Sequence, residues 1–187
     1  MPLVYALEIC HLVLKECCRP STKTRLIMTK SITLWVNGES HTLEVPCDQL
    51  LLETLRESLG LVGARGSCGI GMCGTCTVLV DGNAISSCLT LTIQMAGKHI
   101  TTIEGLSKNG KLHPIQQAYI DHGAFQCAYC TPGLILTTIA LLRDHNNPDD
   151  STIKKYLSGN LCRCGTYVNI LQAVRACRQL DDQGDSV

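Results

Sequence analysis

Apolar and polar positions alternate along Ser31-Ile32-Thr33-Leu34-Trp35-Val36 and again along His41-Thr42-Leu43-Glu44-Val45. A period of two predicts a pair of half-buried strands, and the intervening Asn37-Gly38 suits a tight hairpin turn. Pro46 ends the second strand, because proline has no N–H to give to a ladder. The period then changes. Leu50, Leu51, Leu52, Leu55 and Leu59 recur at helical spacing, with Gly60 placed as a C-terminal stop. A glycine-rich loop follows from Gly63 to Gly74. Thr77-Val78-Leu79-Val80 reads as a strand, Asp81-Gly82 as a turn, and Ile100-Thr101-Thr102-Ile103 as a last strand. Strand, strand, crossing helix, strand, strand is the order of an α+β sheet with one covered face.

Gly105 to Lys111 reads as a linker, and beyond it the pattern is helical. Four helices are predicted: His113 to His122, Gly133 to Asp144, Ser151 to Leu157 and Asn169 to Leu180. In the second, Leu134, Ile135, Leu136, Ile139, Leu141 and Leu142 cover most of the circumference, so this helix should be central. Four short helices make a small bundle. The chain thus divides into two units, 30–105 and 106–187, each small enough to want a staple. Residues 1–29 stand apart. Leu3 to Leu14 is apolar but broken by Glu8 and His11, and Cys17 to Thr24 reads as loop. Two readings stand for this extension: a short helix packed on the body or on a partner, or residues upstream of a natural start at Met28.

Composition narrows the function classes. The chain has 187 residues, with 16 Lys+Arg against 16 Asp+Glu. Balanced charge with no basic run removes the electrostatic case for nucleic acid. No stretch of about 18 apolar residues is present, so no direct membrane insertion is expected. There is no basic n-region, twin-Arg pair or A-x-A site, which points to a cytoplasmic chain, export with a partner being left open. The 13 cysteines are an odd count in a chain that carries no secretion signal, and that combination points to metal.

Eight of the cysteines fall into two sets. Cys68-x4-Cys73-x2-Cys76, with Cys88 after the next hairpin, is the plant-type [2Fe–2S] spacing. Three thiolates on one loop must wrap a negatively charged cluster, and backbone N–H groups must point at sulfur to offset that charge. Glycine permits such a loop, and Gly63, Gly66, Gly69, Gly71 and Gly74 supply it, with Arg65 adding positive charge nearby. Zinc would want two Cys-x2-Cys knuckles and is disfavoured here. Gly69-Ile70-Gly71-Met72-Cys73-Gly74 also satisfies G-x-G-x-x-G, but it leads into a strand, not a helix, so it is no dinucleotide site. The second set is Cys127-x2-Cys130 and Cys162-x-Cys164. Pro132 suits the first turn of the helix that Cys130 would open. Spacing alone leaves zinc and a second iron–sulfur cluster open for this set. Cys10, Cys17, Cys18 and Cys47 have no partner spacing, and Cys177 reads as a small apolar residue of the last helix. His113 and His122 read as surface or helix-end residues.

The strings Gly66-Ser-Cys-Gly-Ile-Gly-Met-Cys-Gly-Thr-Cys-Thr-Val-Leu-Val-Asp-Gly82, Gln126-Cys-Ala-Tyr-Cys-Thr-Pro-Gly133 and Gly159-Asn-Leu-Cys-Arg-Cys-Gly-Thr-Tyr167 carry a resemblance. Over Met28 to Leu180 the chain resembles the iron–sulfur subunit of the molybdenum hydroxylases, the xanthine oxidase / aldehyde oxidoreductase / carbon monoxide dehydrogenase family. The resemblance implies a plant-ferredoxin-like β-grasp domain followed by a four-helix bundle. It implies [2Fe–2S] clusters on Cys68, Cys73, Cys76 and Cys88 and on Cys127, Cys130, Cys162 and Cys164. It implies a large partner subunit holding molybdenum on a pterin, commonly as the cytosine dinucleotide, with Gln126 and Cys164 beside that pterin. Electrons would leave to a flavin-binding (FAD) or cytochrome (haem) subunit, and no catalytic residue is expected on this chain. A free-standing two-cluster carrier is the alternative. This sequence departs from the family's commoner residues at Ala128-Tyr129 (Gly-Phe), Gly165-Thr166 (Thr-Gly) and Ser67 (glycine). The polar end Asp181 to Val187, with no fused linker, favours separate subunits.

Overall fold

The computed structural model describes residues 28–178. The two readings of residues 1–27 and the tail after Arg178 lie outside that range. Five strands form one mixed sheet: β1 (Thr29–Val36), β2 (Glu39–Pro46), β3 (Thr77–Val80), β4 (Asn83–Ser86) and β5 (His99–Thr101), in the order β2-β1-β5-β3-β4. β1 and β2 pair antiparallel through Asn37-Gly38, both with positive φ, as a primed hairpin turn requires. β5 inserts between the two hairpins, parallel to β1 and antiparallel to β3. The predicted sheet had four strands. The fifth, β4, is four residues of mixed polarity, too short to show a period, and its pairing with β3 defines it.

The Leu50–Leu59 periodicity becomes a short helix, α1 (Leu51–Glu53), which widens into a π turn over Thr54–Ser58. The Leu59 N–H reaches back to the Thr54 carbonyl at 3.1 Å, and Gly60 stops the helix with φ +69°. Leu51 and Leu55 pack under the sheet against Ile32, Leu34, Val36, Val78, Val80 and Ile100.

Four helices follow: α2 (Pro114–Asp121), α3 (Thr131–Asp144), α4 (Asp150–Tyr156) and α5 (Tyr167–Cys177). His113 caps α2, its Nδ1 accepting from the Ile115 N–H at 3.2 Å, and Asp149 caps α4 by accepting from the Thr152 N–H at 2.8 Å. His122 ends α2. Every residue of α3 from Pro132 to Leu142 is buried, as the all-round apolar pattern predicts. Each fully buried Leu or Ile there contributes about 1.5–3 kcal/mol. Cys177 sits in the same core.

The expectation of one covered face fails at β3. All four of its residues are buried, because α3 packs on the face opposite α1. Val78 and Val80 enter the core under the sheet, whereas Leu79 enters the core of the helical half. A continuous apolar run of four residues is what a strand covered on both sides needs. Among the described residues no helix is long and apolar enough to cross a membrane.

Candidate metal centres

The first centre is built by the loop between α1 and β3. Gly69, Gly71 and Gly74 all take positive φ, so the backbone doubles back around the thiols. The Met72 N–H lies 3.3 Å from Cys68 Sγ. The Cys68 thiol is held at about 6, chiefly by the Ile70 N–H, then by the Cys73 side chain and the N–H groups of Cys73 and Met72. The Thr75 hydroxyl lies 3.2 Å from Cys73 Sγ. On the inner side, Cys76 and Cys88 are buried beside one another. Ser87 holds them together by donating its hydroxyl to the Cys76 carbonyl at 2.6 Å. Burial pushes the Cys76 thiol up to about 11.

The second centre gathers two loops at helix ends. Cys127 and Cys130 precede α3, with Cys130 at its N-cap, and Cys162 and Cys164 precede α5. Cys127 meets Cys164, and Cys130 meets Cys162. The Cys127 thiol is lowered first by the Tyr129 N–H and then by the Cys164 side chain. Burial drives Cys130 up to about 12. Burial also acts against Cys162, but the Thr166 hydroxyl, 3.1 Å from its sulfur, the Thr166 N–H, the Cys130 side chain and the Cys164 N–H together bring the thiol down to about 7. The Thr131 hydroxyl, next to Cys130 in the chain, is buried without a protein partner, an orphan donor of the kind a sulfide-bearing group satisfies.

All eight predicted cysteines are therefore brought together, but in pairs. Among the described residues no three Cys, His, Asp or Glu side chains converge as a single-ion site. Zinc needs four ligands about one ion. A two-iron core takes two thiolates on each iron, so two pairs per centre fit it. Gln126 is exposed and Cys164 is half-buried at the outer edge of the second centre. Cys47, without partner spacing in the sequence, is half-buried against the core under the sheet.

The two centres touch. The Leu161 N–H donates to the Cys73 carbonyl at 2.9 Å, so one hydrogen bond separates Cys73 from the residue before Cys162. Asn160, buried, donates from Nδ2 to the Gly74 carbonyl at 3.1 Å. A Cβ on Gly133 would collide with that same carbonyl. Arg65 Nη1 donates to the Ala128 carbonyl at 2.6 Å, and Tyr129 donates its hydroxyl to the Gly66 carbonyl at 2.6 Å. Asn160, Leu161, Thr75 and Thr166 received no role from the sequence. All four lie within four residues of a ligand candidate, which is the one clue the sequence held, but the carbonyls that Asn160 and Leu161 reach lie across the fold.

Comparison with known proteins agrees with this geometry. Residues 34–99 match the family described as 2Fe-2S iron-sulfur cluster binding domain, and residues 102–175 match the [2Fe-2S] binding domain. The chain is 46% identical over 153 residues to the xanthine dehydrogenase iron–sulfur-binding subunit of Escherichia coli O157:H7, covering 81% of this chain and 96% of that one. It is 44% identical over 158 residues to the aldehyde oxidoreductase iron–sulfur-binding subunit of Escherichia coli (strain K12), covering 76% of this chain and 69% of that one. Among solved structures it superposes on quinoline 2-oxidoreductase of Pseudomonas putida 86 with a TM-score of 0.81, at 36% identity over 84% of this chain and 99% of the other. Two touching thiol centres on a ferredoxin-like sheet and a helical unit, together with relatives of this closeness, place the chain among the iron–sulfur subunits of the xanthine oxidase / aldehyde oxidoreductase family of molybdenum hydroxylases.

Proposed function

We propose that this chain is a two-step electron conduit from a molybdenum–pterin centre on a large partner subunit to a flavin or haem acceptor on another. Cys68 and Cys73 with Cys76 and Cys88 would hold one [2Fe–2S] cluster. Cys127 and Cys164 with Cys130 and Cys162 would hold the second. When bound, each cluster accepts one electron, and the chain's own residues position it, shield it and tune it. We divide the chain into a ferredoxin-like domain, 30–105, and a helical domain, 106–187, whose four helices form a small bundle. Gln126 and Cys164 lie on the outer edge of the second centre and would face the pterin. Chemistry on the substrate belongs to the large subunit in this reading.

The observation that carries the proposal is the Leu161 N–H to Cys73 carbonyl bond. It joins a ligand candidate of one centre to the neighbour of a ligand candidate of the other without crossing solvent. Exposed apolar side chains flank the outer side of each centre: Ile70, Met72 and Leu89 at the first, Leu161, Tyr167 and Val168 at the second. Apolar rims suit lasting subunit contacts. The test is Cys127→Ser in the assembled complex. Turnover with the native acceptor should be lost. Turnover at the wild-type rate would remove the second centre from the path. Molybdenum co-purifying with the tagged chain would support the partner assignment, and iron without molybdenum would turn the reading to a free-standing carrier.

A further inference from the structure

One peptide unit ties the two halves of the molecule together at the second centre. Its carbonyl, on Ala128, accepts from Arg65 Nη1 at 2.6 Å. Its N–H, on Tyr129, is the group that most lowers the Cys127 thiol. The carbonyl and N–H of a planar trans peptide point in opposite directions, and Ala128 precedes this unit at φ +57°, a left-handed conformation that a Cβ disfavours.

Arg65 is well anchored for this contact. Its guanidinium lies 5.3 Å from the centroid of the Tyr129 ring, and the Tyr129 hydroxyl donates to the carbonyl of Gly66, the next residue. Its own N–H donates to the Thr75 carbonyl at 3.2 Å. Hydrogen bonds in series polarise one another: a cation on the carbonyl makes the N–H of the same peptide a stronger donor. A stronger donor at a ligand sulfur, together with a nearby positive charge, favours the reduced and more negative cluster.

We infer that Arg65, a residue of the sheet half, is a positioning residue that raises the reduction potential of the cluster in the helical half, acting through the Ala128–Tyr129 peptide. The inference rests on the proposal that Cys127 ligates that cluster. It gives the second centre a reason to be a good first acceptor, and it makes the domain contact part of the redox apparatus.

The test is an EPR-monitored redox titration of the full complex, wild type against Arg65→Gln and Arg65→Lys, with the two signals assigned through Cys127→Ser. Arg65→Gln should lower the helical-half potential so that the oxidised-to-reduced ratio at fixed ambient potential changes about tenfold, which is about 59 mV for a one-electron couple. The other cluster should move less. Arg65→Lys keeps the charge but loses the planar fork, so its fall should be in the same direction and smaller. If Arg65→Gln fails to load iron, Arg65→Lys carries the test alone. An unchanged helical-half potential, or equal shifts in both clusters, would overturn the inference. A wild-type complex lacking a second [2Fe–2S] signal would overturn instead the reading on which it rests.

Discussion

The two centres solve one problem with opposite economies. The first takes Cys68, Cys73 and Cys76 from a single loop and shapes that loop with positive-φ glycines and backbone N–H groups aimed at sulfur. The second takes its thiols from two loops separated by the whole of α3 and α4 and relies on helix packing to bring them together. A local site costs loop conformational freedom, which glycine makes expensive to order. A distributed site costs little locally but exists only while α3 and α5 hold their places. Their different origins also explain the different walls. Peptide N–H groups dominate at Cys68, whereas burial leads at Cys130 and Cys162, opposed at Cys162 by the Thr166 hydroxyl and N–H.

If the distributed centre depends on the helical core, truncating that core should have the largest effect. Leu141 is fully buried in it, and Leu141→Ala should cost about 2–5 kcal/mol. Because Leu79 and the Gly133–Gly74 contact join the halves, denaturant unfolding should remain one transition. The chain's one tryptophan, Trp35 on β1, reports the sheet half, and far-UV circular dichroism reports the helices. A midpoint that falls by dichroism but not by Trp35 fluorescence would show that the two halves unfold separately.

A smaller effect is expected where the centres touch. In Gly133→Ala the new methyl meets the Gly74 carbonyl, a backbone atom that cannot swing away. Overpacking of this kind costs about 1–3 kcal/mol. The sharper readout is the cluster-to-cluster spin coupling by EPR, which should change. Unaltered coupling with full iron content would mean that the close approach does not set the spacing.

The smallest effect separates helix ends that serve a centre from those that serve only the fold. Burial holds His113 below its ordinary pKa, with Lys108 adding to the shift. Its Nδ1 accepts the Ile115 N–H, so protonation removes the cap. The unfolded state therefore binds the proton more readily. Stability from this group is full above the unfolded pKa of about 6.5 and is lost as pH falls toward the folded value. Amide exchange at the start of α2 should quicken on acidification through that window, and His113→Asn, which keeps a cap without a titration, should abolish the pH dependence.

Much of this was legible in the linear chain. The Asn37-Gly38 hairpin, the buried run of α3 and the first centre all follow from residues close in sequence, where a period, a turn dipeptide or a ligand spacing acts over a dozen positions. β4 was missed because four residues of mixed polarity have no period to read. The cover on both faces of β3 was missed because a strand's second face is decided by whatever packs on it, here α3, more than fifty residues further along the chain.

The same division runs through the centres. Which eight cysteines are ligand candidates is a matter of spacing, and spacing is one-dimensional. Whether the second set serves one ion or two irons depends on which thiols meet, and Cys127 with Cys164 and Cys130 with Cys162 are pairings made by helix packing. The contacts between the centres, Leu161 to Cys73, Asn160 to Gly74 and Arg65 to Ala128, join residues 63 to 88 positions apart. No local propensity encodes such contacts. They arise when two apolar cores, linked through Leu79 and α3, bring two loops within hydrogen-bonding distance.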